Sequence, residues 1–171
     1  MNIRYATMAD LDDIASVESV CFPVLEAATK EEFEQRIKYF GNHFWLMFDD
    51  DKLIAFVDGF VTDEANLTDE MYENASMHNE NGAWQMIFGV NTLPEYRRCG
   101  YAKELIKKAI LDAREQNRRG LVLTCKESLV PYYSKFGFID EGITDKSTHG
   151  NVLWHQMRLD FELRNNGVKQ I

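Results

Sequence analysis

Proline and cysteine are scarce in this 171-residue chain, at three residues each, and histidine is little commoner at four. With so little proline and with 12% aromatic residues, a disordered chain is excluded in favour of one folded domain with a sizeable core. Cys21, Cys99 and Cys125 are odd in number and far apart, and they form no C-x-x-C pair. A disulfide framework and a structural zinc site are therefore not expected, and a reducing, cytoplasmic setting is. His43, His78, His149 and His155 are scattered without ligand spacing, so no metal is expected. No apolar run is long enough to span a bilayer, and the opening Met1-Asn2-Ile3-Arg4-Tyr5 carries no signal-type apolar segment. No membrane partner is expected. Cationic side chains are also in deficit, 19 Lys and Arg against 28 Asp and Glu, a formal net charge of −9. That balance argues against a nucleic-acid partner and favours cationic or neutral small substrates.

The patterning alternates between strand and helix. Ile3 to Tyr5 predicts a short strand, and Thr7 with Asp10 forms a capping box for a helix bearing Leu11, Ile14 and Val17. A second box, Thr29 with Glu32, opens a helix through Phe33, Ile37 and Phe40 that ends at Gly41-Asn42. Phe44 to Phe48 and Leu53 to Val61 predict a hairpin around an acidic turn. An acidic connector from Thr62 to Gly82 holds a short helix near Thr68 to Tyr72. Further strands are predicted at Trp84 to Thr92, Leu121 to Cys125, Phe138 to Ile143 and Leu153 to Phe161. Between them lie a basic helix from Ala102 and a short one at Ser128 to Phe136. The expected fold is a mixed, mostly antiparallel α/β sheet with flanking helices and a splayed central parallel pair. One domain is expected over residues 1–161, followed by a polar, frayed tail over 162–171. Monomer and homodimer both remain open.

The most informative stretch is Pro94-Glu95-Tyr96-Arg97-Arg98-Cys99-Gly100-Tyr101-Ala102, which contains R-x-x-G-x-A between a strand and a helix. Successive backbone N–H groups at a glycine turn that opens into a helix N-terminus make an anion site of pyrophosphate type. Ala102, Leu105, Ile106, Ala109, Ile110 and Ala113 give that helix one apolar stripe. Arg97, Arg98, Lys103, Lys107, Lys108, Arg114, Arg118 and Arg119 make a positive island in an acidic chain. The island reads either as a field for an anionic ligand or as a solvated helix face.

Together with Lys126-Glu127-Ser128-Leu129-Val130-Pro131-Tyr132-Tyr133-Ser134-Lys135-Phe136-Gly137-Phe138, this loop resembles the GNAT superfamily of acetyl-CoA-dependent N-acetyltransferases. Within it, Cys125 to Phe138 is similar to the C-E-D-A-L-V-P-F-Y-E-K-F-G-F block of the arylalkylamine (serotonin) N-acetyltransferase branch. Leu67-Thr68-Asp69-Glu70 resembles that branch's L-T-Q-E segment. The likeness runs over residues 2 to 161. It implies acetyl-CoA as cosubstrate, with Arg97, Arg98, Cys99, Gly100, Tyr101 and Ala102 cradling the pyrophosphate. It also implies that the strand at Val90 to Thr92 pairs with the pantetheine arm and offers an N–H to the thioester oxygen, with Val90 and Thr92 both open as the donor. Tyr133 matches the tyrosine that gives a proton to the departing thiolate; packing between helix and sheet is the other reading of that residue.

One departure concerns the amine's proton. The serotonin enzymes carry two alternating histidines on the central strand, where this chain has Met86 and Phe88. His149 is the candidate proton acceptor in their place, with His78, Asp58 and Glu26 behind it; a surface loop histidine is the alternative reading of His149. Phe22, Glu26 and Phe88 are expected at the substrate, with Phe22 and Leu25 alternatively stapling two helices. The implied function is direct transfer of an acetyl group to a small primary amine. A protein lysine or N-terminal amine acetyltransferase, or a non-catalytic CoA-binding sensor, stands as the alternative.

Overall fold

In the computed structural model the described residues are 1–163, without the side chain of His149. From residue 164 on, the expected tail lies outside the described residues. The chain runs β1 (Asn2–Arg4), α1 (Leu11–Cys21), α2 (Lys30–Phe40), β2 (Phe44–Asp49), β3 (Lys52–Asp58), β4 (Val61–Thr62) and α3 (Asp69–Glu73). It continues with β5 (Trp84–Ile87), β6 (Gly89–Thr92), α4 (Tyr101–Glu115), β7 (Gly120–Cys125), α5 (Val130–Ser134), β8 (Ile139–Thr144) and β9 (Trp154–Asp160). Both predicted capping boxes form, at Thr7 with Asp10 and at Thr29 with Glu32.

Two sheets result, of order β1-β2-β3-β6 and β4-β5-β7-β9-β8. Every strand pair is antiparallel except β5 with β7, which the crossover through α4 makes parallel. Period-two alternation on β2 sends Phe44, Leu46 and Phe48 into one core cluster and Trp45 and Met47 into another. Ile14 and Val17 of α1 and Phe33, Ile37 and Phe40 of α2 pack into the first cluster. Leu105, Ile106, Ala109 and Ala113 of α4 pack into the second, with Tyr133 and Phe138.

The two long strands expected from the sequence are both broken, and at the same level. The run Leu53 to Val61 leaves one sheet after Asp58 and enters the other at Val61. At the bend, a side chain on Gly59 would come within 1.7 Å of Met86 O, so only glycine lets the strands cross there. The run Trp84 to Thr92 breaks at Phe88. The Phe88 N–H donates to Asp58 O at 2.7 Å while Gly89 also registers opposite Asp58, so two residues face one. A bulge of this kind re-aims the strand and ends its pairing. β5 follows β7 as far as Ile87 opposite Leu123, and β6 then turns away along β3. The gap between β6 and β7 opens a cleft.

Candidate active site

The cleft encloses about 540 Å³ and is lined from both sheets and from the helices above them. Ile87, Phe88, Gly89 and Val90 form one wall, Leu123 to Lys126 the other, and Glu18, Cys21 and Arg36 the roof. β6 pairs only with β3, so its second edge lies open among the described residues. Leu93 N–H donates to Ile54 O across the β3 ladder. By the antiparallel alternation, Gly89 and Asn91 bond to β3, while Val90 and Thr92 turn their backbone groups to the open edge. Thr92 O already accepts from Cys21 Sγ at 3.3 Å and Arg97 Nε at 3.0 Å. Val90, by contrast, lines the cleft.

Tyr133 stands across from that edge. Its ring is 6% exposed and packs edge-on against Tyr132 and Phe138. Burial raises its phenol well above the ordinary value, so it stays protonated and has a proton to give to a stronger base. Behind it Tyr72 and Thr124 share a hydroxyl hydrogen bond of 3.1 Å. Cys125 is buried at the same end, and its thiol is pushed up to about 11, which leaves it inert as a nucleophile.

At the other end of β6, Arg98 and Gly100 both have left-handed backbones, with φ of 62° and 84°. A side chain on Gly100 would meet nothing within 4 Å, so glycine is required there for its dihedral and not for space. The turn is exposed from Arg97 to Gly100 and leads directly into α4 at Tyr101, where Ala102 follows. Half of the basic island is committed to structure. Lys108 pairs with Asp112 at 2.6 Å, Arg114 covers the Phe161 ring and Arg119 pairs with Asp160. Arg118 is buried and donates to Glu80 O and Gly82 O. Arg97, Arg98, Lys103 and Lys107 remain as exposed cations around the turn and the first half of α4.

At Glu26 a strap of loops meets over the cleft. Phe22 and Glu26, in the loop between α1 and α2, line the cleft, and so does Phe88. The Glu26 carboxylate pairs with Lys126 at 2.9 Å and lies under Gly150, where an added Cβ would meet Glu26 Cγ at 2.5 Å. Thr148 gives its N–H and its hydroxyl to Asp69 Oδ2 at 2.9 and 2.8 Å, which fastens the loop before β9 onto α3. His149 begins a one-turn helix next to Thr148, and its side chain lies outside those described. Met86 is fully buried and does not reach the cleft wall.

Sequence reasoning missed the roof. Arg36 donates to Asp58 Oδ2 and to Tyr72 O, both at 3.0 Å, and its guanidinium lies over the Phe33 and Phe88 rings. Asp58 is fully buried, and its carboxyl is pushed up to about 6 by desolvation against the pull of Arg36. Glu18 is 4% exposed, and burial with the like charge of Asp58 lifts it to about 8. Among the described residues, Asp58 Oδ1 and both side-chain polar atoms of Asn91 have no hydrogen-bond partner. A signal existed in the sequence: Glu18 sits one turn after Ile14, and Arg36 between Phe33 and Ile37. Both put charge on a helix's apolar face.

His43, His78 and Glu80 converge although the sequence scatters them, with donor atoms within 4.8 Å of one another. Val61 N–H donates to His78 Nδ1 at 3.0 Å, so the His78 proton sits on Nε2 and is given to Glu80 at 2.8 Å. Glu80 also accepts from the His43 ring at 2.8 Å, and Arg118 lies 3.5 Å away. The arrangement is a hydrogen-bonded network with no lone pair of His78 turned to a cation.

Residues 11–138 match the acetyltransferase (GNAT) family, and the chain belongs to it. Serotonin N-acetyltransferase from Mesocricetus auratus is 30% identical over 93 residues, which is 53% of this chain but only 43% of that protein. The loading GNATL domain of CurA from Lyngbya majuscula superposes at a TM-score of 0.81, covering 95% of this chain and 98% of its own at 17% identity. A GNAT family acetyltransferase from Brucella melitensis, solved in complex with acetyl-CoA, superposes at 0.59 over 94% and 87%, also at 17% identity. At such identities the solved structures establish a shared fold.

Proposed function

We propose that residues 1–161 form a single catalytic domain that moves an acetyl group from acetyl-CoA directly to a small primary amine. One observation carries the reading: Val90, on the open edge of β6, lines a cleft together with Tyr133, and the chain runs on from β6 through Pro94–Tyr96 into the left-handed Arg98–Gly100 turn. The turn and the first N–H groups of α4 suit a pyrophosphate, with Arg97 and Arg98 beside them. The backbone of Val90, with Thr92 behind it, is placed to pair with an extended pantetheine arm and to donate to the thioester oxygen as that oxygen gains charge. Acetyl-CoA supplies the activated acyl group and a thiolate that leaves. Tyr133, held protonated by burial, gives its proton to that thiolate. Direct transfer needs no enzyme nucleophile, which agrees with the inert Cys125.

A small amine is favoured over a lysine side chain on a protein by the strap of Glu26, Lys126 and Gly150 across the substrate side. Phe22 and Phe88 give that side apolar walls, and the likeness to serotonin N-acetyltransferase makes arylalkylamines the first class to test. The three cysteines stand as free thiols, in keeping with a reducing, cytoplasmic setting.

The test is thiol release from acetyl-CoA against arylalkylamines, polyamines, amino acids and lysine peptides. Release with one amine class is expected. Tyr133→Phe should lower kcat about 10–100-fold and leave acetyl-CoA affinity within about twofold, because its proton is used only as the thiolate leaves. Tight acetyl-CoA binding with silence across the panel would instead favour a sensor.

A further inference from the structure

An alkylamine with a pKa near 10 reaches the enzyme as an ammonium and cannot attack until a proton is removed. The strand positions that carry histidines in the resembling branch hold Met86 and Phe88 here, so the acceptor must come from elsewhere in the cleft. Most of its carboxylates are already engaged. Glu26 is held by Lys126, Asp69 by Thr148, and Glu32 by the Thr29 cap at 3.2 Å. Glu73 is exposed at the mouth. His78 is bound to Val61 and Glu80 and lies outside the lining.

Glu18 differs in being buried with only the Ala28 backbone N–H shown on its carboxylate, and with no ion pair among the described residues. It lines the cleft from α1 and is buried, and the cation that acts on it, Arg36, gives its hydrogen bonds to Asp58 and Tyr72 O instead. Gly89 explains its reach. An added Cβ there would stand 3.2 Å from Asp58 Oδ1 and 3.7 Å from Glu18 Oε1. Both carboxylates therefore border the space that a side chain would fill one residue before Val90, with Asn91 Nδ2 beside them at 3.1 Å from the same point.

Resting on the acetyltransfer reading above, we propose that Glu18 is the proton acceptor for the amine, with Asp58 and Arg36 as the positioning pair behind it. The ammonium gives one proton to Glu18, and the freed lone pair forms the C–N bond as the C–S bond breaks. The nitrogen's second proton is released on forming the amide and balances the one that Tyr133 gives to sulfur. The proton on Glu18 returns to solvent through the cleft, so each turnover releases one proton, one amide and one CoA thiol.

The surroundings support this assignment. Asp58 from β3 and Glu32 from α2 raise the Glu18 carboxyl, while Arg36 from α2 and the Ala28 N–H lower it; Cys21 is the neighbouring titratable group on its own helix. The balance lies at about 8, between neutral pH and the amine's own value, where a base still ionises and still pulls. The base form gains population as pH rises through 8, so kcat should rise over the same interval.

The experiment is kcat against pH, at saturating acetyl-CoA and with the best amine of the thiol-release panel, for the wild-type chain, Glu18→Gln and Glu18→Asp. Glu18→Gln keeps shape and removes a buried like charge, so it should fold, which a thermal midpoint checks. It should lose kcat about 10²–10³-fold together with the limb near pH 8, with the KM for acetyl-CoA within about twofold. Glu18→Asp should keep the limb at an intermediate rate. A Glu18→Gln enzyme that retains the limb, or that changes only the amine KM, overturns the assignment. No turnover by the wild-type chain with any amine overturns the acetyltransfer reading itself, and the assignment with it.

Discussion

At the Arg97–Gly100 turn the groups proposed to meet a ligand are backbone N–H groups on exposed residues, held by two left-handed dihedrals within three positions. At the far end of the cleft they are side chains, Glu18, Arg36 and Asp58, contributed by α1, α2 and β3 and each less than 5% exposed. The first end depends on local chain geometry and tolerates changes in side chains. The second depends on charge balance in a dry interior and tolerates almost none. An anion site made of backbone can sit in water, because its N–H groups are solvated until the ligand arrives. Carboxylates required to hold a proton at neutral pH must be taken out of water, and then a cation must keep the cluster from flying apart.

The difference can be broken most severely at Arg36. Its replacement by Met leaves Asp58 fully buried without its 3.0 Å partner and Glu18 without the positive field of Arg36 that lowers it. Removal of one partner from a buried pair costs about 3–5 kcal/mol. Urea denaturation of Arg36→Met should show a loss of that size, partly recovered when Asp58→Asn is added. A loss below about 1 kcal/mol would mean that the cluster is not held by charge.

The same contrast explains what the sequence revealed. Gly100 and its neighbours were legible because a backbone site is written in consecutive residues, and the Tyr133 block because it is one short helix and its flanks. The order of elements was legible too, since hydrophobic period and capping boxes are local. The roof was not, because Glu18, Arg36, Asp58 and Asn91 meet only after α1 and α2 have packed on the sheet that joins β3 to β6. Glu18, Arg36 and Asp58 each left a trace, as a charge within an apolar stripe, but such a trace does not name its partners. The two broken strands were missed for a related reason. Gly59 reads as an ordinary strand glycine until Met86 O is seen 1.7 Å from its missing Cβ. The bulge at Phe88 exists only in relation to Asp58.

A smaller effect is expected at Gly100, and it sharpens the contrast because no contact is involved. Nothing lies within 4 Å of an added Cβ, so Gly100→Ala introduces only the strain of an L-residue at φ of 84°. That strain is about 1–2 kcal/mol, and the turn should be populated less. Calorimetric titration should show acetyl-CoA bound about 5–20-fold more weakly, with the amine KM and the pH limb unchanged. Unchanged acetyl-CoA affinity would remove the turn from the site.

The smallest effect is expected at Lys103, where its sign is the informative part. Lys103 lies exposed in the first turn of α4, and a cation at a helix N-terminus works against the helix dipole by about 0.3–1 kcal/mol. Without ligand, Lys103→Ala should therefore be as stable as the wild type or slightly more so, by thermal midpoint. With acetyl-CoA present the order should reverse, because the variant has lost a cation beside the phosphates; its Kd should rise about two- to fivefold at low salt and converge with wild type at high salt. A ligand-free chain weakened by the substitution would show that Lys103 serves the helix. A reversal that appears only with acetyl-CoA would show that this cation is kept at an unfavourable position for the anion it meets.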